Sequence, residues 1–239
     1  MSDATSVTAK PLTYVAGGAD CHGYLALPAG PGPHPGVLVA PAFGGLSDSD
    51  RAVAERLAGV GYAALGVDYY SGGAYAENRE DASALMQGMQ NDRPLLAARM
   101  QGALAALAEQ PQVDAARLGA MGFCFGGKAV LDLARSGADF RAGVTFHGVY
   151  DAPPAGSQTM KPAMLILHGW DDPLATPEQT VALAAELTAH CDDWQLLGFG
   201  HTGHGFTNLK AKGAGMGYSE AATTRGWANM LALFADKLA

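Results

Sequence analysis

Three cysteines, Cys21, Cys124 and Cys191, are all that 239 residues contain. They cannot all pair with one another, and their spacing matches no zinc pattern, so neither a disulfide framework nor a structural zinc site is expected. Reduced thiols follow as the default, which leaves Cys124 free for chemistry in a reducing compartment. Charge is also scarce: 16% of residues carry it, and 15 basic side chains face 23 acidic ones for a net charge of −8. That balance repels phosphate backbones and excludes the electrostatic footprint of a nucleic-acid binder. No apolar run approaches the ~18 residues that would span a bilayer. The opening MSDATSVTAK lacks the basic and apolar regions of a secretory signal. A cytoplasmic protein is expected, with neither nucleic acid nor membrane among its partners. Internal repeats and low-complexity linkers are missing as well.

What remains is an apolar composition of 49%, enough for residues 1–239 to form one domain around one core. Residues 1–30 are expected to form an N-terminal antiparallel edge hairpin, its strands joined by a tight turn at Gly17-Gly18-Ala19-Asp20. Gly36 to Ala40 is a short apolar run suited to a parallel strand covered on both faces. Helical and strand-like stretches then alternate. Helices are expected over Asp50–Ala58, Arg79–Glu109, Gly126–Arg135, Pro177–Ala189 and Ala221–Leu238. Strands are expected over Tyr62–Val67, Leu118–Phe123, Ala142–Phe146, Ala163–His168 and Trp194–Phe199. The closing helix places Trp227, Met230, Leu231 and Phe234 on its apolar face. Gly213 to Gly217 reads as a mobile loop. The alternation implies an α/β architecture: a mostly parallel sheet of about eight strands with helices on both faces.

The most specific chemical signal is Gly122-Phe123-Cys124-Phe125-Gly126-Gly127, placed where an expected strand runs directly into an expected helix. Such a nucleophile elbow forces its central residue into a strained backbone conformation, and small residues at Gly122 and Gly126 let strand and helix approach. The turn puts the Cys124 sulfur at a helix N-terminus, where amides and dipole favour a thiolate. It also aims the Phe125 N–H at a developing oxyanion. A second donor is expected from the loop after the earlier strand.

A nucleophile so placed needs an acid and then a histidine further along the chain, on loops at the strand C-terminal ends. Leu165-Ile166-Leu167-His168-Gly169-Trp170-Asp171-Asp172-Pro173 offers two carboxylates. Asp172 is preferred, three residues after Gly169 and followed by Pro173; Asp171 is the fallback, otherwise a turn residue. Gly198-Phe199-Gly200-His201-Thr202-Gly203-His204-Gly205-Phe206 offers two histidines. His204 is taken as the base and His201 as its alternative. His22, His34, His147, His168 and His190 are read as structural. A metal cluster of His147, His168, His201 and His204 is set aside: no ligand pair of the HExxH type is present, and the elbow would then have no role.

On the Gly-x-Cys-x-Gly-Gly elbow at Cys124, the His-Gly-x-x-Asp-Pro turn at Asp172 and the His-x-Phe element at His204, the chain from Pro35 onward resembles the dienelactone hydrolase family of the α/β-hydrolase superfamily. The resemblance implies the α/β-hydrolase fold and hydrolysis of a small ester or enol-lactone. It also implies an acyl-thiol intermediate on Cys124 and no metal or organic cofactor. The amides of Phe125 and Ala42 would hold the oxyanion, and Asp172 would fix the His204 tautomer. The expected partner is a small-molecule ester or lactone, and the assembly a monomer or homodimer.

The chain departs from the family pattern at two positions. Pro41 stands where the family has a glutamate linked to thiol activation, so Cys124 is expected to rest nearer His204 as a thiolate pair. Arg79 matches one arginine that grips the substrate carboxylate, or else is a solvated helix residue paired with Glu80 or Asp81. Asn208 stands where the second arginine would be and cannot make a charge-assisted bidentate pair, so a weaker preference for anionic lactones is expected. Two other readings are a thiol-based redox sensor built on Cys124 and a silent ligand-binding homologue. No resolving cysteine is evident near Cys124 for the redox role.

Overall fold

The computed structural model describes residues 6–239, so the first five residues of the expected 1–30 hairpin lie outside the described residues. The described residues form an eight-stranded, mostly parallel sheet with six helices and one small extra hairpin, the α/β order that the alternation of patterns implies. The chain divides into two compact units between Ala120 and Met121.

The first unit opens with β1 (Thr8–Ala16) and β2 (Ala19–Leu27), an antiparallel pair joined by Gly17 and Gly18. Both glycines have positive φ, +50° and +75°, the backbone that a two-residue hairpin turn requires. After β3 (His34–Ala40) come α1 (Asp48–Gly59) and β4 (Ala63–Gly66), which pairs parallel with β3 and antiparallel with β2. Ser47 and Asp50 close a capping box on α1, each side chain bonding the other's backbone N–H. The helical stretch expected over 79–109 is two helices, α2 (Arg79–Asn91) and α3 (Arg93–Ala108). Asp92 separates them: its side chain accepts from Leu95 N at 3.0 Å and Pro94 opens the second helix. α3 lies on β1 so closely that a Cβ at Gly102 would come within 2.4 Å of the Ala16 Cβ. The Arg99 guanidinium, buried beside them, donates to the Ala16 carbonyl.

β5 (Val113–Phe123) begins five residues before the expected Leu118 and runs through the division between the units. In the second unit follow α4 (Phe125–Arg135), β6 (Ala142–Phe146), β7 (Ala163–Gly169), α5 (Pro177–His190) and β8 (Trp194–Phe199). β6, β7 and β8 pair in parallel. Every residue of α4 is buried, Lys128, Asp132 and Arg135 included. Those charges need partners to lie inside. Lys128 pairs with Asp151, and Arg135 joins Asp132 at 3.1 Å and Glu186 of α5 at 2.7 Å. α5 starts on a Thr176–Gln179 capping box with Pro177 in its first turn.

The glycine-rich stretch expected to be a mobile loop is instead a tight antiparallel hairpin, β9 (Lys212–Gly213) and β10 (Met216–Gly217). Gly213 and Gly215 supply its turn with φ of +146° and +67°. The closing helix, α6 (Glu220–Lys237), buries Trp227, Met230, Leu233 and Phe234. Leu231, expected on that face, is only half-buried and Leu233 takes the core position.

Candidate active site

Cys124 sits between β5 and α4 with φ +54° and ψ −115°, a conformation disfavoured for any residue with a Cβ. Three contacts over-determine it. Its N–H donates to the Phe146 carbonyl at the end of β6 at 3.0 Å, and its carbonyl accepts from Lys128 N at 3.2 Å. A Cβ at Gly122 would lie 2.2 Å from the Gly126 carbonyl oxygen, so only glycine lets the strand pass the first turn of the helix. The second close approach belongs to Gly127, where a Cβ would lie 2.9 Å from the Gly148 Cα. The side chain of Cys124 is half-buried at the N-terminus of α4, where helix amides favour an anion.

The turn after β7 carries Asp172, buried, and Asp171, exposed. Asp172 Oδ1 accepts from Leu174 N at 2.8 Å, which turns Oδ2 to the Nδ1–H of His204 at 2.7 Å. Asp171 contributes only its backbone here, donating to the Thr202 carbonyl at 2.9 Å. With Nδ1 committed to Asp172, Cys124 acts on the same imidazole through a side-chain hydrogen bond and its charge. Asp172 and Cys124 thus act on one imidazole, that of His204.

Burial alone would push the His204 pKa down, but the bond to Asp172 and the bond and charge of Cys124 outweigh it. Together they hold the imidazolium, raising the group from 6.5 to about 10. Such a histidine favours the imidazolium form at neutral pH. The hairpin β9–β10 fixes the backbone beneath it: His204 N donates to Gly215 O at 2.8 Å and Gly217 N to His204 O at 3.2 Å. A Cβ at Gly203 would lie 2.0 Å from the Gly215 oxygen, and one at Gly169 would lie 2.6 Å from the Gly203 oxygen. The acid turn, the histidine loop and the hairpin are therefore stacked backbone on backbone. This support was missed in the sequence, where Gly203, Gly213 and Gly215 were legible as glycines but not as a joint.

His201, the alternative base, is exposed at φ +55°. His168 is buried between Tyr150 Oη on Nδ1 and Thr180 Oγ1 on Nε2, both at 3.2 Å, and serves the turn rather than the reacting end. His147 packs its ring against that of His204, with centroids 5.0 Å apart. Among the described residues no group of three or more His, Cys, Asp or Glu side chains is arranged to hold a metal ion. Cys191 is buried at the end of α5 with its Sγ donating to the Asp193 carbonyl at 3.2 Å.

In the first unit, Ala42 follows β3 in a loop strapped by tyrosine hydroxyls. Tyr69 Oη donates to the Pro41 and Ala42 carbonyls at 2.6 and 2.9 Å, and Tyr70 Oη to Phe43 O at 2.7 Å. The Ala42 carbonyl also accepts from Gly45 N at 3.1 Å. Arg79 is exposed in the first turn of α2. In the second unit, exposed Asn208 spends its side-chain oxygen on Lys210 N at 2.8 Å. No helix among the described residues is long and apolar enough to cross a membrane.

A strained thiol at a strand-to-helix elbow, followed in chain order by a buried carboxylate and a histidine, defines a hydrolase of the α/β-hydrolase fold. The model of the dienelactone hydrolase family matches residues 21–238, and the chain belongs to that family, whose members hydrolyse lactones and esters. The solved structure m3DLH is 36% identical, with a TM-score of 0.93 over 98% of this chain and 99% of its own. A dienelactone hydrolase-like promiscuous phosphotriesterase, P91, from metagenomic libraries is 37% identical, also at 0.93, over 98% and 100%. A probable 2-oxo-3-(5-oxofuran-2-ylidene)propanoate lactonase of Bradyrhizobium sp is 29% identical over 195 residues, 77% of either chain.

Proposed function

We propose that this chain hydrolyses small esters and enol-lactones through a cysteine acyl-enzyme, without a metal or organic cofactor. The observation that carries the reading is the buried His204–Asp172 bond at 2.7 Å, with Cys124 at the strained elbow acting on the same imidazole. The Cys124 thiolate attacks the carbonyl carbon, forming the C–S bond as the carbonyl electrons move to oxygen. The Phe125 amide, at the N-terminus of α4, receives the oxyanion. Collapse breaks the C–O bond, and His204 gives its proton to the departing oxygen. Water then adds to the thioester while His204 takes its proton, and the C–S bond breaks to restore the thiolate–imidazolium pair. Asp172 keeps Nδ1 protonated throughout.

The substrate is a small molecule with a good leaving group, because a thiolate is itself readily expelled from the tetrahedral intermediate. Enol and aryl esters meet that demand. With Asn208 folded into its own turn, neutral esters should compete well with anionic lactones; Arg79 is kept as a candidate for an anionic substrate group on the family resemblance alone. A second reading, phosphotriester hydrolysis by the same thiolate, draws on the likeness to P91.

The test is turnover of p-nitrophenyl acetate, an anionic dienelactone and a neutral aryl phosphotriester by wild type, Cys124→Ala and Arg79→Ala. Loss of carbonyl-ester turnover in Cys124→Ala with a dienelactone preference below about tenfold is expected. Phosphotriester turnover exceeding both carbonyl substrates would favour the second reading. Full activity in Cys124→Ala would overturn the mechanism.

A further inference from the structure

His147 makes no bond to Asp172 or Cys124 among those described, yet it is a strained residue that packs on His204 and directly follows the Phe146 carbonyl that holds Cys124. It follows the last residue of β6 with φ +41°, in the left-handed region that a residue with a Cβ rarely adopts. That conformation is held by its N–H donating to the Leu167 carbonyl of β7 at 2.9 Å. One residue earlier, the Phe146 carbonyl accepts the Cys124 N–H. The end of β6 thus holds the nucleophile through a backbone bond at Phe146, and a side chain leaves the same strand end at His147.

That side chain is buried in a box of three rings. Phe206 meets it edge-on at 5.0 Å and 84°, His204 at 5.0 Å and 66°, and Phe123 closes it at 6.1 Å. Its Nε2 is hydrogen-bonded to Thr207 Oγ1 at 2.9 Å, while Nδ1 is buried with no partner among the described residues. Thr207 lies three residues after His204 in the same loop. The bond therefore ties the far side of the histidine loop to the strand end that holds Cys124.

Resting on the reading of Cys124, His204 and Asp172 given above, we propose that His147 is a positioning residue. Through Thr207 and its ring it fixes where the His204 imidazole stands against the Cys124 sulfur, and it stays neutral so that His204 alone carries the proton. Burial, and then the charge of His204, disfavour a proton on His147. The groups that face the titrating ring are Cys124, Asp172 and His147. Two adjacent imidazoles would otherwise compete for one proton, and a protonated His147 would repel the imidazolium it packs on.

The experiment leaves the strained residue intact and cuts the tie. Thr207→Val removes the hydroxyl at nearly constant volume, and Thr207→Ser restores it. Two readouts are taken across pH: alkylation of Cys124 by iodoacetamide, which needs no turnover, and kcat/KM on p-nitrophenyl acetate. Thr207→Val is expected to slow both by about tenfold, the rate equivalent of one lost hydrogen bond, and to move the alkylation profile toward that of an unassisted thiol. Thr207→Ser should restore both, and His147→Phe, which keeps a ring but no bond, should match Thr207→Val. Wild-type alkylation profiles in Thr207→Val and His147→Phe would overturn the positioning role and leave the Cys124 mechanism standing. Activity retained in Cys124→Ala would strike the mechanism, with the alkylation profiles still deciding the positioning role.

Discussion

Asp172 reaches His204 at 2.7 Å through Oδ2, while Asp171, its neighbour in the chain, stays exposed on the other side of the same turn. The selection is made by the backbone: Leu174 N holds Oδ1, so the carboxylate can present only Oδ2 to the imidazole. Asp172→Asn should leave the fold intact and lower kcat by about 10³–10⁴, because an amide cannot hold the required tautomer. Asp171→Asn should stay within about threefold of wild type. Steady-state kinetics on an aryl ester check both, and equal losses would assign the acid's role to the turn as a whole.

Raising the His204 pKa from 6.5 to about 10 has a definite sign for pH dependence. The folded chain holds that proton more tightly than the unfolded chain. The stabilisation is complete below 6.5 and is lost as pH rises through about 10. Turnover should follow, falling on the alkaline side near pH 10 as His204 loses the proton it gives to the leaving group. Asp172→Asn should move that limb to lower pH. A pH series of kcat is the check, and an unchanged rate well above pH 10 would show that the proton is not His204's.

The opposite sign holds for His147, whose pKa burial pushes well below 6.5. Its folded form refuses a proton that the unfolded chain accepts. Stability from this group is full above 6.5 and falls as pH drops below it, by up to about 1.4 kcal/mol per pH unit. Urea unfolding of His147→Phe beside wild type should show a shallower loss between pH 6.5 and 5. Parallel curves would place the acid sensitivity elsewhere.

Gly203 is where the histidine loop crosses the β9–β10 hairpin, and an alanine Cβ there would lie 2.0 Å from the Gly215 oxygen. Neither partner is a side chain that can swing away. Gly203→Ala should cost about 3 kcal/mol, roughly 6–12 °C in Tm for a chain of this size, and reduce activity as His204 shifts. Gly217→Ala, with nothing within 4 Å of the new Cβ, should be nearly silent. Calorimetry on the pair separates a crossing constraint from a general cost of replacing glycine in the hairpin.

Much of this site was legible in the sequence because each part rests on a local rule. The elbow is a contiguous motif, and its strand and helix are marked by apolar runs on either side of Cys124. The order of carboxylate and histidine after it is fixed by the fold. The split of 79–109 at Asp92 was lost because Pro94 follows a helix cap without interrupting the helical periodicity. The hairpin at 212–217 and the role of Thr207 were lost for another reason. Two-residue strands have no readable alternation, and a serine-like hydroxyl three residues after a histidine gains meaning only when β6 is brought beside it. His147 read as structural because its strain, its burial and its ring contact with His204 are tertiary facts.

The most direct test of the cysteine mechanism is the intact mass of the protein quenched in acid during turnover of p-nitrophenyl acetate. An added acetyl group on wild type, located at Cys124 by peptide mapping and absent from Cys124→Ala, is the expected result. It should persist in His204→Ala, where deacylation lacks its base. Turnover without any acyl adduct, or an adduct on another residue, would contradict the assignment of Cys124 as nucleophile.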